Sequence, residues 1–144
     1  MASITFFYLK QTTVLRNKKR LKSFMLEQAT LYGRPIHSLQ VICCSDEYLL
    51  QMNRDFLKHD YYTDIITFDL GDRDSNQIDA ELYISLDRVK ENASSLGITF
   101  AVELHRVIFH GLLHLLGYKD KTSSDQKIMR LMEERFLQTY FNAP

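Results

Sequence analysis

Apolar and polar positions alternate along the chain in short, well-separated runs. Residues 4–9 are β-branched and aromatic and predict a strand. Over residues 16–32, Leu21, Phe24, Met25 and Leu31 recur at helical spacing with basic residues between them, and Gly33-Arg34-Pro35 stops the helix. Residues 38–44 predict a second strand, with Leu39, Val41 and Cys43 on one face and Ile42 and Cys44 on the other. Ser45 is placed as an N-cap, with Asp46 and Glu47 in the first turn. The helix it opens carries Tyr48, Leu49, Met52 and Phe56 inward and closes near Leu57. Residues 58–62 predict a loop, 65–68 a buried strand, 70–79 a polar loop and 80–85 a further strand. A helix over residues 87–96 ends at Gly97, and Thr99 caps a longer, strongly apolar one. Ser123 with Gln126 three residues on predicts a capping box for a last helix reaching about Phe141. The order β-α-β-α-β-β-α-α-α implies one α+β domain over residues 1–144, a sheet covered by helices.

Composition adds little to that picture. Apolar residues make up 45% and charged residues 25%, as in a soluble globular protein with a sizeable core. Residues 1–10 hold only a short apolar run with no basic segment ahead of it, so no signal peptide is expected. No uninterrupted apolar stretch suffices to span a bilayer. Net charge is zero but uneven: residues 10–34 carry seven bases against one acid, and residues 46–81 ten acids against three bases. A basic stretch such as Arg16 to Lys22 is either a footprint for phosphate or a solvated helix face, and charge alone favours the latter. Cys43 and Cys44, being adjacent, point to opposite faces of a strand and are poor disulfide partners. Reduced thiols acting as small buried hydrophobes, and hence a cytoplasmic protein, are expected.

The candidate chemistry lies in His110-Gly-Leu-Leu-His114-Leu-Leu-Gly117-Tyr-Lys-Asp120. Two histidines four apart on a helix share one face, about 40° apart around the axis, and can grip one metal ion. Gly117 is suited to a left-handed helix end that turns the chain back, and Asp120 then offers a third, oxygen ligand. The register is that of the metzincin pattern H-E-x-x-H-x-x-G-x-x-H, with Gly111 in place of the Glu and Asp120 in place of the last His. Without that Glu general base the protease chemistry is not expected, whereas a metal site on His110, His114 and Asp120 is. His105 would lie about 140° around the helix from His110 and point elsewhere.

These residues, with Ala80-Glu-Leu-Tyr-Ile-Ser85 ahead of them, resemble the YbeY family of bacterial endoribonucleases and rRNA maturation factors. Asn53, Phe56, Asp60, Thr63, Asp64 and Phe68 match a second signature of that family, and the likeness runs from about residue 38 to 132. The resemblance implies a mixed, roughly four-stranded sheet with flanking helices and a zincin-like metal-binding helix. It further implies one zinc ion and cleavage of single-stranded RNA in ribosome biogenesis, notably at the 3′ end of the small-subunit rRNA, with the ribosomal small subunit as partner. The family's third histidine falls on Asp120, its arginine on Leu57 and its proline on Tyr62. Thr63, Asp64 and Lys58 are the substrate-binding candidates by the same likeness, with His59 or the basic stretch from Arg16 to Lys22 as further stand-ins for the arginine toward phosphate.

From the residues, the chemistry is metal-assisted hydrolysis: three protein ligands leave a fourth zinc position for water, acidified to a pKa of about 7. Activation of the RNA's own 2′-hydroxyl is equally open, and no protein acid or base is assigned. Two other readings stand beside it. One is a zinc peptidase or amidase using Glu81 or Glu103 as base; the other is a non-catalytic ribosome assembly factor with a structural metal.

Overall fold

The computed structural model describes residues 2–9, 15–72 and 74–142; Lys10 and Arg73, counted in the charged runs above, lie outside the described residues. Among the described residues nine elements follow in the expected order: β1 (Ser3–Tyr8), α1 (Lys18–Leu31), β2 (Ile36–Cys44), α2 (Asp46–Leu57), β3 (Ile65–Asp69), β4 (Ile78–Ser85), α3 (Leu86–Leu96), α4 (Phe100–Leu115) and α5 (Ser123–Asn142). They build one α+β domain around a four-stranded mixed sheet in the order β1-β2-β4-β3. β1, β2 and β4 run parallel, and β3 joins β4 antiparallel at one edge. No single helix among the described residues is long and apolar enough to cross a membrane.

Strand alternation splits the core between the two faces of the sheet. Leu39 and Val41 of β2 and Ala80, Leu82 and Ile84 of β4 pack with Leu21 and Met25 of α1 and with Leu104, Ile108 and Leu112 of α4. On the opposite face, Cys44 and Ile66, with Tyr83 and Phe68, pack against Leu49 and Met52 of α2. Helix α4 comes unusually close to the sheet at Gly111, where a Cβ would meet Ile65 Cδ1 at 2.8 Å and the Leu82 methyls at 2.9 and 3.0 Å. The position that carries Glu in the metzincin pattern therefore faces the sheet, with no room for a side chain.

Several sequence-based expectations need correction. Tyr48 and Phe56 of α2 are 46% and 66% exposed, and the buried positions are Leu49, Leu50 and Asn53. Phe56 instead meets the ring of Phe68 edge-on at the sheet's margin. Leu31 at the end of α1 is exposed, and Ala29 takes the inward position. β4 begins two residues earlier than expected. Ile78 is fully buried and its N–H donates to the Pro35 carbonyl, so a polar loop conceals the strand's first inward residue. Thr122, not Ser123, caps α5, its hydroxyl accepting from the Asp125 N–H; the Gln126 side chain donates to the Asp120 carbonyl instead of closing a capping box.

Burial pushes the thiols of Cys43 and Cys44 up to about 12, the latter helped by the neighbouring acids. Both are free and inaccessible in the folded chain. Because the thiolate is the reacting species, iodoacetamide at pH 8 is expected to label neither cysteine in the native protein and both in denaturant. Native labelling, read by intact mass, would contradict this packing.

Candidate metal centre

Helix α4 starts where the Thr99 hydroxyl accepts from the Val102 N–H, and its apolar residues carry it onto the sheet. Its end is a Schellman turn. The Gly117 N–H reaches the His114 carbonyl and the Tyr118 N–H the Leu113 carbonyl, each at 3.0 Å, with Gly117 at φ 103°. That reversal brings Asp120 back across the face that carries both histidines.

The three candidate ligands converge. His110 Nε2 and His114 Nε2 are 3.0 Å apart, and Asp120 Oδ2 lies 3.4 Å from the first and 3.2 Å from the second. A tetrahedral zinc ion with ligands at its usual distances has ligand–ligand edges of about 3.3 Å, so the triangle has the size such an ion requires. The outer ring nitrogens decide the donor chemistry. His110 Nδ1 faces Glu133 Oε2 at 2.5 Å, and His114 Nδ1 faces the Tyr118 carbonyl at 2.9 Å. Both partners only accept, so each neutral ring carries its proton on Nδ1 and turns its Nε2 lone pair inward. Two lone pairs and a carboxylate oxygen thus meet with no proton between them, an arrangement a cation relieves. Among the described residues, His110, His114 and Asp120 are the group whose donor atoms could hold a metal ion.

Behind the triad lies an ionic network that joins Asp64 and Glu103 to two residues that the sequence motifs do not single out, Arg106 and Glu133. Arg106 donates twice to Glu103, at 2.7 and 2.8 Å, and once to Glu133 at 3.0 Å, while Asp64 lies 3.6 Å from the same guanidinium. These carboxylates hold the Arg106 pKa well above its ordinary value. Burial raises Glu133, but the hydrogen bond from His110 and the charge and hydrogen bond of Arg106 prevail and leave its carboxyl below the usual range. Asp64 goes the other way: burial raises its pKa, and Arg106 offsets this only in part. A signal for Glu133 does exist in the sequence. It falls on the inward stripe of α5 with Met129, Phe136 and Tyr140, where a carboxylate has no place unless partnered.

A cleft of about 560 Å³ runs from the triad along β3, lined by Asn53, Leu57, His59, Tyr61, Thr63, Asp64, Asp69, His110, His114 and Asp120 among others. Thr63 and Asp64 thus lie beside the metal candidates. Their local roles are modest: the Thr63 hydroxyl donates to the Ile65 carbonyl, and the Asp64 carbonyl accepts from the Ser85 N–H. Lys58 is exposed at the left-handed C-cap of α2, between two lining residues but not itself lining the cleft. No residue from Arg16 to Lys22 lines it either. The Lys18 and Lys22 ammonium groups sit over the rings of Tyr8 and Phe6, and Arg20 over Tyr140, so α1 presents its charge elsewhere.

The proposed bases of a peptidase fare worse. Glu103 is fully buried under Arg106, and Glu81 alternates with Leu82 and so points to the α2 side of the sheet, away from α4. His105, as expected, turns away from the triad, bonded to the Ala101 carbonyl and stacked on Tyr140.

Comparison with known proteins agrees with this geometry. The family model described as Endoribonuclease YbeY matches residues 8–141. A curated Endoribonuclease YbeY from Cytophaga hutchinsonii is 48% identical over 139 residues, covering 95% of this chain and 96% of that one. Its counterpart from Porphyromonas gingivalis is 44% identical, covering 95% and 89%. The solution structure of TM1509 from Thermotoga maritima superposes with a TM-score of 0.64 at 26% identity, covering 97% of this chain and 90% of that one. The matched span takes in the histidine helix, the turn to Asp120 and the Glu133 helix behind them, and the chain belongs to the endoribonuclease YbeY family.

Proposed function

We propose that this nuclease is a zinc-dependent hydrolase that cuts single-stranded RNA during rRNA processing. The small-subunit rRNA 3′ end is its proposed target, with a part in ribosome quality control. The observation that carries the reading is the proton-free triangle of His110 Nε2, His114 Nε2 and Asp120 Oδ2 at the head of an open cleft, in a chain whose relatives are named endoribonucleases. When bound, a zinc ion supplies a Lewis-acidic charge that polarises a phosphoryl oxygen and lowers the pKa of a water. Everything else falls to the chain's own residues. Glu133 and the Tyr118 carbonyl hold the two imidazoles in the tautomer that presents Nε2. Arg106 keeps Glu133 ionised beside His110, its guanidinium already shared among carboxylates and so no free phosphate clamp. Asp64 and Thr63 border the place where the scissile phosphate would lie and are assigned to substrate positioning; Lys58, at the cleft's margin, is assigned to backbone phosphate. The proposed compartment is the cytoplasm, where ribosomal RNA and reduced thiols coincide.

The test is metal analysis of the purified protein, with cleavage assayed on a single-stranded RNA and its duplex before and after chelation. The expected outcome is about one zinc per chain and cutting of the single strand only, lost on chelation and restored by zinc. Undiminished cleavage in chelator, or equal cutting of the duplex, would overturn the proposal.

A further inference from the structure

We infer that His59 and Tyr61 form a nucleobase-stacking subsite beside the metal centre; the inference rests on the ribonuclease reading above and names what selects unpaired RNA. Both side chains line the same cleft as His110, His114 and Asp120. Their rings are stacked, with centroids 5.2 Å apart and planes 23° from parallel, and the Tyr61 hydroxyl meets His59 Nδ1 at 3.0 Å. Tyr61 is nevertheless 55% exposed, and among the described residues no other ring packs on either. His59 is exposed as well, so the pair offers ring surface on which a third flat ring could stack.

The loop that bears the pair is built, not merely a connection. Asn53, a polar residue of α2 only 1% exposed, holds it at both ends: its side-chain amide donates to the Tyr61 carbonyl at 2.8 Å, and its own carbonyl accepts the His59 N–H at 3.0 Å. Lys58 takes the left-handed conformation that starts the turn, and Arg54 pairs with Asp60 between the two rings. Burying an amide costs free energy unless it is satisfied, and here its bonds serve to fix two exposed aromatic rings. Tyr62 behaves differently. Its hydroxyl donates to Glu47 and its ring lies under the Arg88 guanidinium, so it is already partnered.

The side chains around the pair point to a base as the occupant. Among the described residues no lysine or arginine lines the cleft, and its carboxylates are engaged, Asp69 with Arg34, Asp64 beside Arg106 and Asp120 in the triad, so phosphate contact falls to the metal centre and to Lys58 at the margin, and the wall at His59 and Tyr61 offers ring surface instead. Aromatic stacking is the attraction it offers, and every base has a π-face to accept it, which makes the contact tolerant of sequence. In a duplex each base is already stacked between neighbours and cannot reach the pair. Only an unpaired, splayed nucleotide can.

The test uses the full-length, metal-loaded protein and a single-stranded oligoribonucleotide carrying 2-aminopurine next to the cut position. Fluorescence is followed by stopped flow before cleavage, and KM and kcat are measured on the unlabelled strand. Wild type is expected to quench the fluorophore. Tyr61→Ala and His59→Ala should each lose the quenching and bind roughly tenfold or more weakly, raising KM far more than they lower kcat, with metal content and Tm unchanged. Tyr61→Phe should keep the quenching, since it retains the ring and loses only the hydroxyl. If wild type cuts single-stranded RNA while both alanine variants keep its quenching and KM, the stacking subsite is overturned and the ribonuclease reading stands. If wild type neither binds nor cuts the strand, the ribonuclease reading itself fails and takes the subsite with it.

Discussion

Replacing His110 or His114 by alanine is expected to strip the metal from the protein and abolish RNA cleavage, with far-UV circular dichroism unchanged. Each ring supplies one of three inward-facing donor atoms, so either change leaves two donors where a tightly held ion needs three or four. Loss of an outer-shell partner alone typically costs 10–100-fold in metal affinity or activity, and losing a ligand should exceed about a hundredfold. Two companion variants grade the effect. Asp120→His is expected to retain the ion, since an imidazole replaces the carboxylate as third donor and is an equally ordinary zinc ligand. Glu133→Gln should keep the ligands yet weaken metal binding by roughly 10–100-fold, because an amide no longer holds the His110 Nδ1 proton with a full charge. Metal content by mass spectrometry, paired with single-turnover cleavage, reads all four. Wild-type zinc content in both alanine variants would remove the site from this position.

Gly111→Glu is expected to unfold the protein or lower its Tm by more than about 10 °C. The Cβ alone would lie 2.8 Å from Ile65 Cδ1 and 2.9 Å from Leu82 Cδ2, so α4 or the sheet must move. Leu82 is fully buried and has nowhere to retreat. Overpacking of this kind costs about 1–3 kcal/mol, and a carboxylate driven between helix and sheet adds several more. The sum is comparable with the whole stability of a domain, about 5–15 kcal/mol. Gly111→Ala should be milder, about 1 kcal/mol, because the gain in helix propensity of about 1 kcal/mol partly offsets the crowding. Ile65→Val removes the nearest methyl, so it should rescue Gly111→Ala in a double-mutant cycle. A stable Gly111→Glu protein with the wild-type Tm would show that the helix does not approach the sheet this closely. The same contact explains why this register carries no Glu: its second position faces the sheet and not the metal.

The chain's sequence by itself determined the order of elements and the three candidate ligands. Those features depend on short-range geometry. Two histidines one turn apart must share a helix face, Gly117 permits the left-handed turn, and the chain needs only three more residues to return with Asp120. The resemblance to the YbeY family rests on these residues and on a second local stretch, Asn53 to Phe68, each legible from the sequence alone. The tertiary structure alone decided what depends on contacts between distant segments. It set Glu133 behind His110 and against Arg106, partners 23 and 27 positions away that only the packing of α5 on α4 brings together. It turned Tyr48 and Phe56 outward where helical periodicity had them inward, because α2 meets the sheet along a stripe narrow enough for Leu49, Leu50 and Asn53 alone to be buried. It moved the start of β4 back to Ile78, because strand pairing with β2 and not the polarity of the preceding loop sets that boundary. And it gave Asn53 its purpose: a buried amide in α2 becomes intelligible only once the loop it holds, with His59 and Tyr61, is seen folded over the cleft. Local periodicity reports which face of an element is apolar, but not what lies opposite it, and that second fact is a property of the assembled fold.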